Sequence, residues 1–158
     1  MQAEHINPFL RAVVNAFSTM LECEARRGDI ALADTKTQRY PISGVIGLSG
    51  KAAGTVVINL SEEVAIKSAS TMLMMEITEV NEDVIDAVGE LANMIAGQAK
   101  AELEEYDLSV SLPNVITGHG HDILFPSDIK QISVPFDTDF GPLNLEVGFE
   151  TITAGVGV

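Results

Sequence analysis

The sequence predicts an α+β (α/β) domain: a mostly antiparallel sheet of six strands with about three helices packed on one side. Three observations carry that prediction. Apolar residues recur at helical spacing in three stretches, one led by Phe9, Leu10, Val13, Val14 and Phe17, one by Val64, Ala65, Ala69 and Met72, and one by Ile85, Val88, Ala92, Ile95 and Ala99. The intervening runs, such as Ile42 to Leu48 and Thr55 to Leu60, are rich in β-branched residues. The order reads helix, three strands, helix, helix, three strands, so a pseudo-repeat of helix plus strands is expected, with the first and third helices adjacent.

The first helix is expected to start at Asn7-Pro8, where Asn caps and Pro is preorganised. Arg26 and Arg27 suit its C-terminal dipole, and Gly28 can close it. Strands follow around Ile30 and Leu32, at Ile42 to Leu48 and at Thr55 to Leu60, the last two joined by a turn at Ser49-Gly50-Lys51. Ser61 caps the second helix, with Glu62 and Glu63 in its first turn. Met72, Met74 and Met75 read as core filler or an adaptable contact surface. Asn81 caps the third helix, which runs to about Tyr106. Leu108 to Leu112 reads as a strand that Pro113 interrupts and Val115-Ile116 resumes. Gly118 to Ser127 reads as a loop. Ile129 to Phe136 and Leu143 to Phe149 complete the sheet.

A chain of 158 residues, 46% hydrophobic and 20% charged, suits one domain spanning 1–158, with 153–158 as a fraying tail. A net charge of −14 argues against nucleic acid and against an anionic membrane surface. It favours solubility, or a partner with a basic patch. Cys23 is the only cysteine, so no intrachain disulfide forms and a reducing cytoplasm is expected. Late in the first helix, between Glu22 and Glu24, its thiol is a poor nucleophile. The N-terminal MQAEHINPFL has no basic n-region, and no apolar run approaches the ~18 residues of a membrane span.

The third helix carries the candidate site. Asp86, Glu90, Asn93 and Gly97 are spaced 4, 3 and 4 apart, which places them within an arc of roughly 60°. Most amphipathic helices have a polar face. This one has no Lys or Arg until Lys100 to pair with Glu90. Gly97 costs about 1 kcal/mol against Ala in mid-helix and has no core-packing reason to be there. It would let another surface approach. No phosphate-binding loop, dinucleotide fingerprint or G-x-S-x-G occurs. His119, His121 and Asp122 in Gly118-His119-Gly120-His121-Asp122 form the alternative, a weak metal site set against a plain glycine-rich loop.

The string DAVGELANMIAGQAK from Asp86 to Lys100, with LPNVITG from Leu112 to Gly118, resembles the CheC/CheX/FliY family of response-regulator phosphatases, its CheX branch most. The likeness extends over nearly the whole chain. It implies that Glu90 and Asn93 belong to a catalytic surface, with Asp86 and Gly97 towards the partner. The family's downstream proline maps onto Pro113, which is kept out of the site. The implied partner is a phosphorylated CheY-like response regulator that brings its own Mg and Lys, so the chain needs no cofactor of its own. A carboxamide can donate and accept hydrogen bonds at once, so Asn93 would orient the attacking water. Glu90 would pair with the regulator's Lys. The likeness also implies a homodimer. If the first helix corresponds to the third, Asn15 stands for Asn93 and Ala12 for Glu90, leaving one active surface per subunit. The rival reading is a non-catalytic adaptor that binds a response regulator in a two-component signalling complex.

Overall fold

The computed structural model describes residues 3–32, 39–125 and 129–152. The expected tail at 153–158, and the last two residues of the expected loop, lie outside these. Three helices pack against an eight-stranded sheet in which every pairing is antiparallel.

Helix α1 runs Ala3–Leu21 and so begins four residues before the expected Asn7, with Pro8 inside it. A proline this near the N-terminus forfeits one backbone bond. Packing offsets that loss: Ile6 is buried, and the His5 ring lies 5.2 Å from that of Phe149 and bonds Tyr106 Oη at 2.8 Å. The helix stops earlier than expected too. Glu22 takes a left-handed φ of 48°, and the Cys23 N–H turns back to donate to Phe17 O at 3.0 Å, which ends the helix. Arg26 and Arg27 therefore lie in a strand, β1 (Ala25–Arg27), and not at a helix end. Gly28 does not close the helix; its N–H donates to Pro135 O at 2.7 Å. Cys23 is buried just beyond the helix.

The remaining strands are β2 (Ala31–Leu32), β3 (Ile42–Ser49), β4 (Ala52–Leu60), β5 (Ser109–Val110), β6 (Asn114–Thr117), β7 (Gln131–Thr138) and β8 (Gly141–Thr151). Eight strands replace the expected six for two reasons. β1 is new, and the run around Pro113 splits into β5 and β6, which pair separately with β3. The main order is β1-β7-β8-β4-β3-β5. The β3–β4 turn at Gly50 has a φ of 147°, which favours glycine.

Helix α2 (Glu62–Leu73) is capped by Ser61, whose side chain accepts from Val64 N, and ends at Met74 in the left-handed region. Helix α3 (Glu82–Ala101) is capped by Asn81, whose Oδ1 accepts from Val84 N at 3.1 Å. It ends five residues before the expected Tyr106. A short 3-10 turn, Glu104–Tyr106, follows and delivers the Tyr106 ring edge-on to Phe149 at 5.3 Å.

Alternation in the strands separates two faces. Ile42, Ile46, Val56, Ile58, Leu145 and Val147 join the helices in one buried cluster. α3 sits close on the sheet, since a Cβ at Gly44 of β3 would lie 3.0 Å from the Ala92 Cβ. The opposite face carries Ser43, Asn59 and Glu146, all buried. The segment from Gly118 to Phe125 covers it: His121 bonds Ser43, Arg39 bridges Asp122 and Glu146, and Phe125 lies against Gly148.

Candidate functional site

The rotation of α3 on the sheet decides which of its residues reach solvent. Val88 and Ala92 face Gly44. Gly89 is also buried, and a Cβ there would lie 3.5 Å from both Pro113 Cγ and Val115 Cγ2. Turned this way, the helix exposes Asp86, Glu90, Asn93 and Gly97 together. The four predicted residues thus form one outward stripe. A Cβ at Gly97 would meet nothing within 4 Å.

Among the described residues, no hydrogen bond or ion pair engages the side chain of Asp86, Glu90 or Asn93. The flanks are tied down. On the α1 side, Asn15 Nδ2 donates to Gln98 Oε1 at 3.0 Å, and Arg11 pairs with Glu102 at 2.8 Å. On the other side stands Pro113, which the sequence reading kept out of the site. It packs one residue from Glu90, although nothing in a single sequence shows that contact. At Gly97 the stripe reaches a groove of about 520 Å³ that is lined by Gly97 itself, Lys100, Ala101, Glu104, Asp107 and Leu108.

Small-molecule sites are concave; of the stripe residues only Gly97 borders this groove. A second groove, of about 470 Å³, lies beside α1 and is lined by Leu10, Val14, Arg27 and Phe136; none of the four stripe residues borders it. No nucleophile accompanies Glu90 and Asn93. What the stripe offers is an unengaged carboxylate and an unengaged carboxamide one turn apart, able to enter a cleft on another molecule.

The alternative at His119, His121 and Asp122 does not assemble. His121 has both ring nitrogens engaged, Nε2 with Ser43 Oγ at 2.8 Å and Nδ1 with Gly118 O at 2.7 Å. Asp122 is paired with Arg39. Among the described residues, no group of three or more His, Cys, Asp or Glu could hold a metal ion. α1 offers no second stripe: Ala12 is buried and Asn15 is held by Gln98.

Comparison with known proteins follows the same helix. The family model described as chemotaxis phosphatase CheX matches residues 42–137, more than half of the chain and all of α2 and α3. The CheY-P phosphatase CheX of Thermotoga maritima is 29% identical over 121 residues, 75% of this chain and 78% of that protein. The crystal structure of the chemotaxis protein CheX from Vibrio vulnificus superposes with a TM-score of 0.87 at 33% identity, covering 94% of this chain and 100% of that one. A CheX–CheY–BeF3–Mg complex from Borrelia burgdorferi has the same fold, with a TM-score of 0.78 at 24% identity over 96% of this chain and 100% of that chain.

Proposed function

Because the chain belongs to the chemotaxis phosphatase CheX family, we propose that it hydrolyses the aspartyl-phosphate of a CheY-like response regulator, as the name of its Thermotoga maritima relative states for that protein. The observation that carries the assignment of roles is the unengaged Glu90–Asn93 pair on an exposed helix face.

In this reading α3 lies across the regulator's phosphorylated aspartate. Asn93 Oδ1 accepts a hydrogen bond from the attacking water and holds its oxygen in line with phosphorus. The water oxygen bonds to phosphorus as the bond to the aspartyl oxygen breaks. The aspartate leaves as carboxylate, and the water's proton passes to solvent or to the phosphate released. Glu90 pairs with the regulator's Lys and fixes the docking angle. Asp86 extends the acidic contact, and Gly97 admits close approach. The Mg belongs to the regulator, where it neutralises phosphoryl charge.

A single domain over 1–158, acting as a homodimer in the cytoplasm, completes the proposal. The one continuous buried cluster supports the single domain. No described helix is long and apolar enough to cross a membrane. Sedimentation at micromolar concentration tests the dimer.

Phosphate release from a phosphorylated CheY-like regulator of the same cell tests the activity. Wild type should accelerate it. Asn93→Ala should lose about a hundredfold, the scale of a misplaced reactant, with an unchanged melting temperature because the side chain is exposed. Full activity in Asn93→Ala would refute the mechanism. Binding without acceleration by wild type would make the chain an adaptor.

A further inference from the structure

Resting on the reading above, we infer that Leu112 and Pro113 form an apolar ledge on which the regulator seats an apolar surface bordering its phosphorylated aspartate. Leu112 is 87% exposed. An isolated exposed leucine is ordinary. This one is held rigidly from both sides. Before it, Ser111 N–H donates to Gly47 O at 2.9 Å, and Ser111 Oγ accepts from Gly47 N at 2.8 Å. The same hydroxyl donates to Leu112 O at 3.0 Å. After it, Pro113 lies against Gly89, and Asn114 opens the β6 ladder opposite Val45. The backbone cannot fold back to bury Leu112 without breaking these contacts.

Through Pro113, which lies against Gly89, the ledge adjoins the stripe. At 100° per residue, Gly89 lies about 40° round α3 from Asn93 and about 60° from Asp86. The wall built on Gly89 is therefore the border of the stripe on that side. The opposite border is polar, formed by the Asn15–Gln98 and Arg11–Glu102 pairs. One apolar and one polar border give the surface a handedness. A regulator that receives Asn93 must place an apolar rim over Leu112 and a polar rim over α1. The two other large apolar side chains as exposed as Leu112 do not share this setting: Met74 follows α2, and Leu124 belongs to the segment over the far face of the sheet.

A preorganised apolar contact adds affinity without an ordering cost, and leaves chemistry to its neighbours. Leu112 is thus a specificity-determining contact and not a catalytic residue.

The test measures binding of full-length protein to a CheY-like regulator loaded with beryllofluoride and Mg, beside phosphate release from the phosphorylated regulator. Leu112→Ser should weaken binding and raise KM about tenfold or more, as expected for a lost leucine contact, with kcat within about twofold of wild type. Leu112→Met, which keeps the apolar bulk, should restore both. Thermal melts should coincide for all three proteins, since an 87% exposed side chain holds no core. Unchanged binding in Leu112→Ser would overturn the ledge and leave the hydrolytic reading standing. A wild type that binds in a Leu112-dependent way but releases no phosphate would keep the ledge and overturn the hydrolysis. A fall in kcat with unchanged affinity would overturn the docking role.

Discussion

Ser68 sits inside α2 with its hydroxyl buried and without a hydrogen-bond partner among the described residues. Desolvation is uncompensated there, and serine is the weaker helix former. Ser68→Ala should stabilise the protein by about 1 kcal/mol, visible as a higher urea midpoint at constant slope; a lower midpoint would show that the hydroxyl has a partner. The Arg39–Glu146 pair works in the opposite direction. Both side chains are nearly buried, at 9% and 3% exposure, with guanidinium nitrogens 3.0 and 3.1 Å from one carboxylate oxygen. Arg39→Met would strand a buried carboxylate at a cost of about 3–5 kcal/mol. Equilibrium denaturation measures it, and a loss under about 1 kcal/mol would mean that Glu146 reaches water. Neither residue stands out in the sequence. Glu146 occupies an alternating position in β8, where a polar side chain normally signals solvent. Nothing in the periodicity of β8 says that a distant segment covers that face.

At the scale of elements, Gly97 is a test of what α3 is for. Its open surroundings mean that Gly97→Ala should raise stability by about 1 kcal/mol through helix propensity alone. The same methyl should weaken regulator binding if two surfaces meet there. A stabilised variant with wild-type affinity would remove Gly97 from the interface. The β1 strand is clamped differently. Asp139 accepts from Glu24 N at 2.9 Å and from Arg26 Nη1 at 3.2 Å, and these contacts, the backbone one foremost, hold its carboxyl below the ordinary carboxylate value. The stabilisation is complete above the unfolded value of about 3.9 and fades as pH falls through the lower folded value. Asp139→Asn should flatten that part of the acid limb, followed as melting temperature between about pH 2 and 5; an unaltered slope would discount the clamp. The helices, the main strands and the polar stripe were legible because period and capping encode them locally. The end of α1 was not. Its left-handed cap falls on Glu22 and not on a glycine, and Arg26, which together with Arg27 imitates a helix terminus, pairs instead with Asp137 and Asp139. The Pro113–Gly89 contact was equally hidden, being set by β6 pairing.

The whole molecule carries a net charge of −14, while most of its ion pairs lie at exposed positions. Repulsion should outweigh those pairs. Raising ionic strength from about 0.01 to 0.15 M shortens the reach of charge from about 30 to 8 Å, so the melting temperature should rise over that range; a fall would show that the pairs dominate. Fold class was readable at this scale, but strand order was not, because local pattern does not choose neighbours. That order has a kinetic meaning. β8 is the last described strand, yet it runs between β7 and β4, pairing Ala52 with Thr151 and Leu60 with Leu143. Until it leaves the ribosome, the sheet consists of two unjoined halves, β3–β4 with its short neighbours and β7 with β1 and β2. Loop closure over so long a separation is slow. The sheet is therefore closed like a zip by β8, and a growing chain that has not yet supplied β8 presents open strand edges that a chaperone would have to shield.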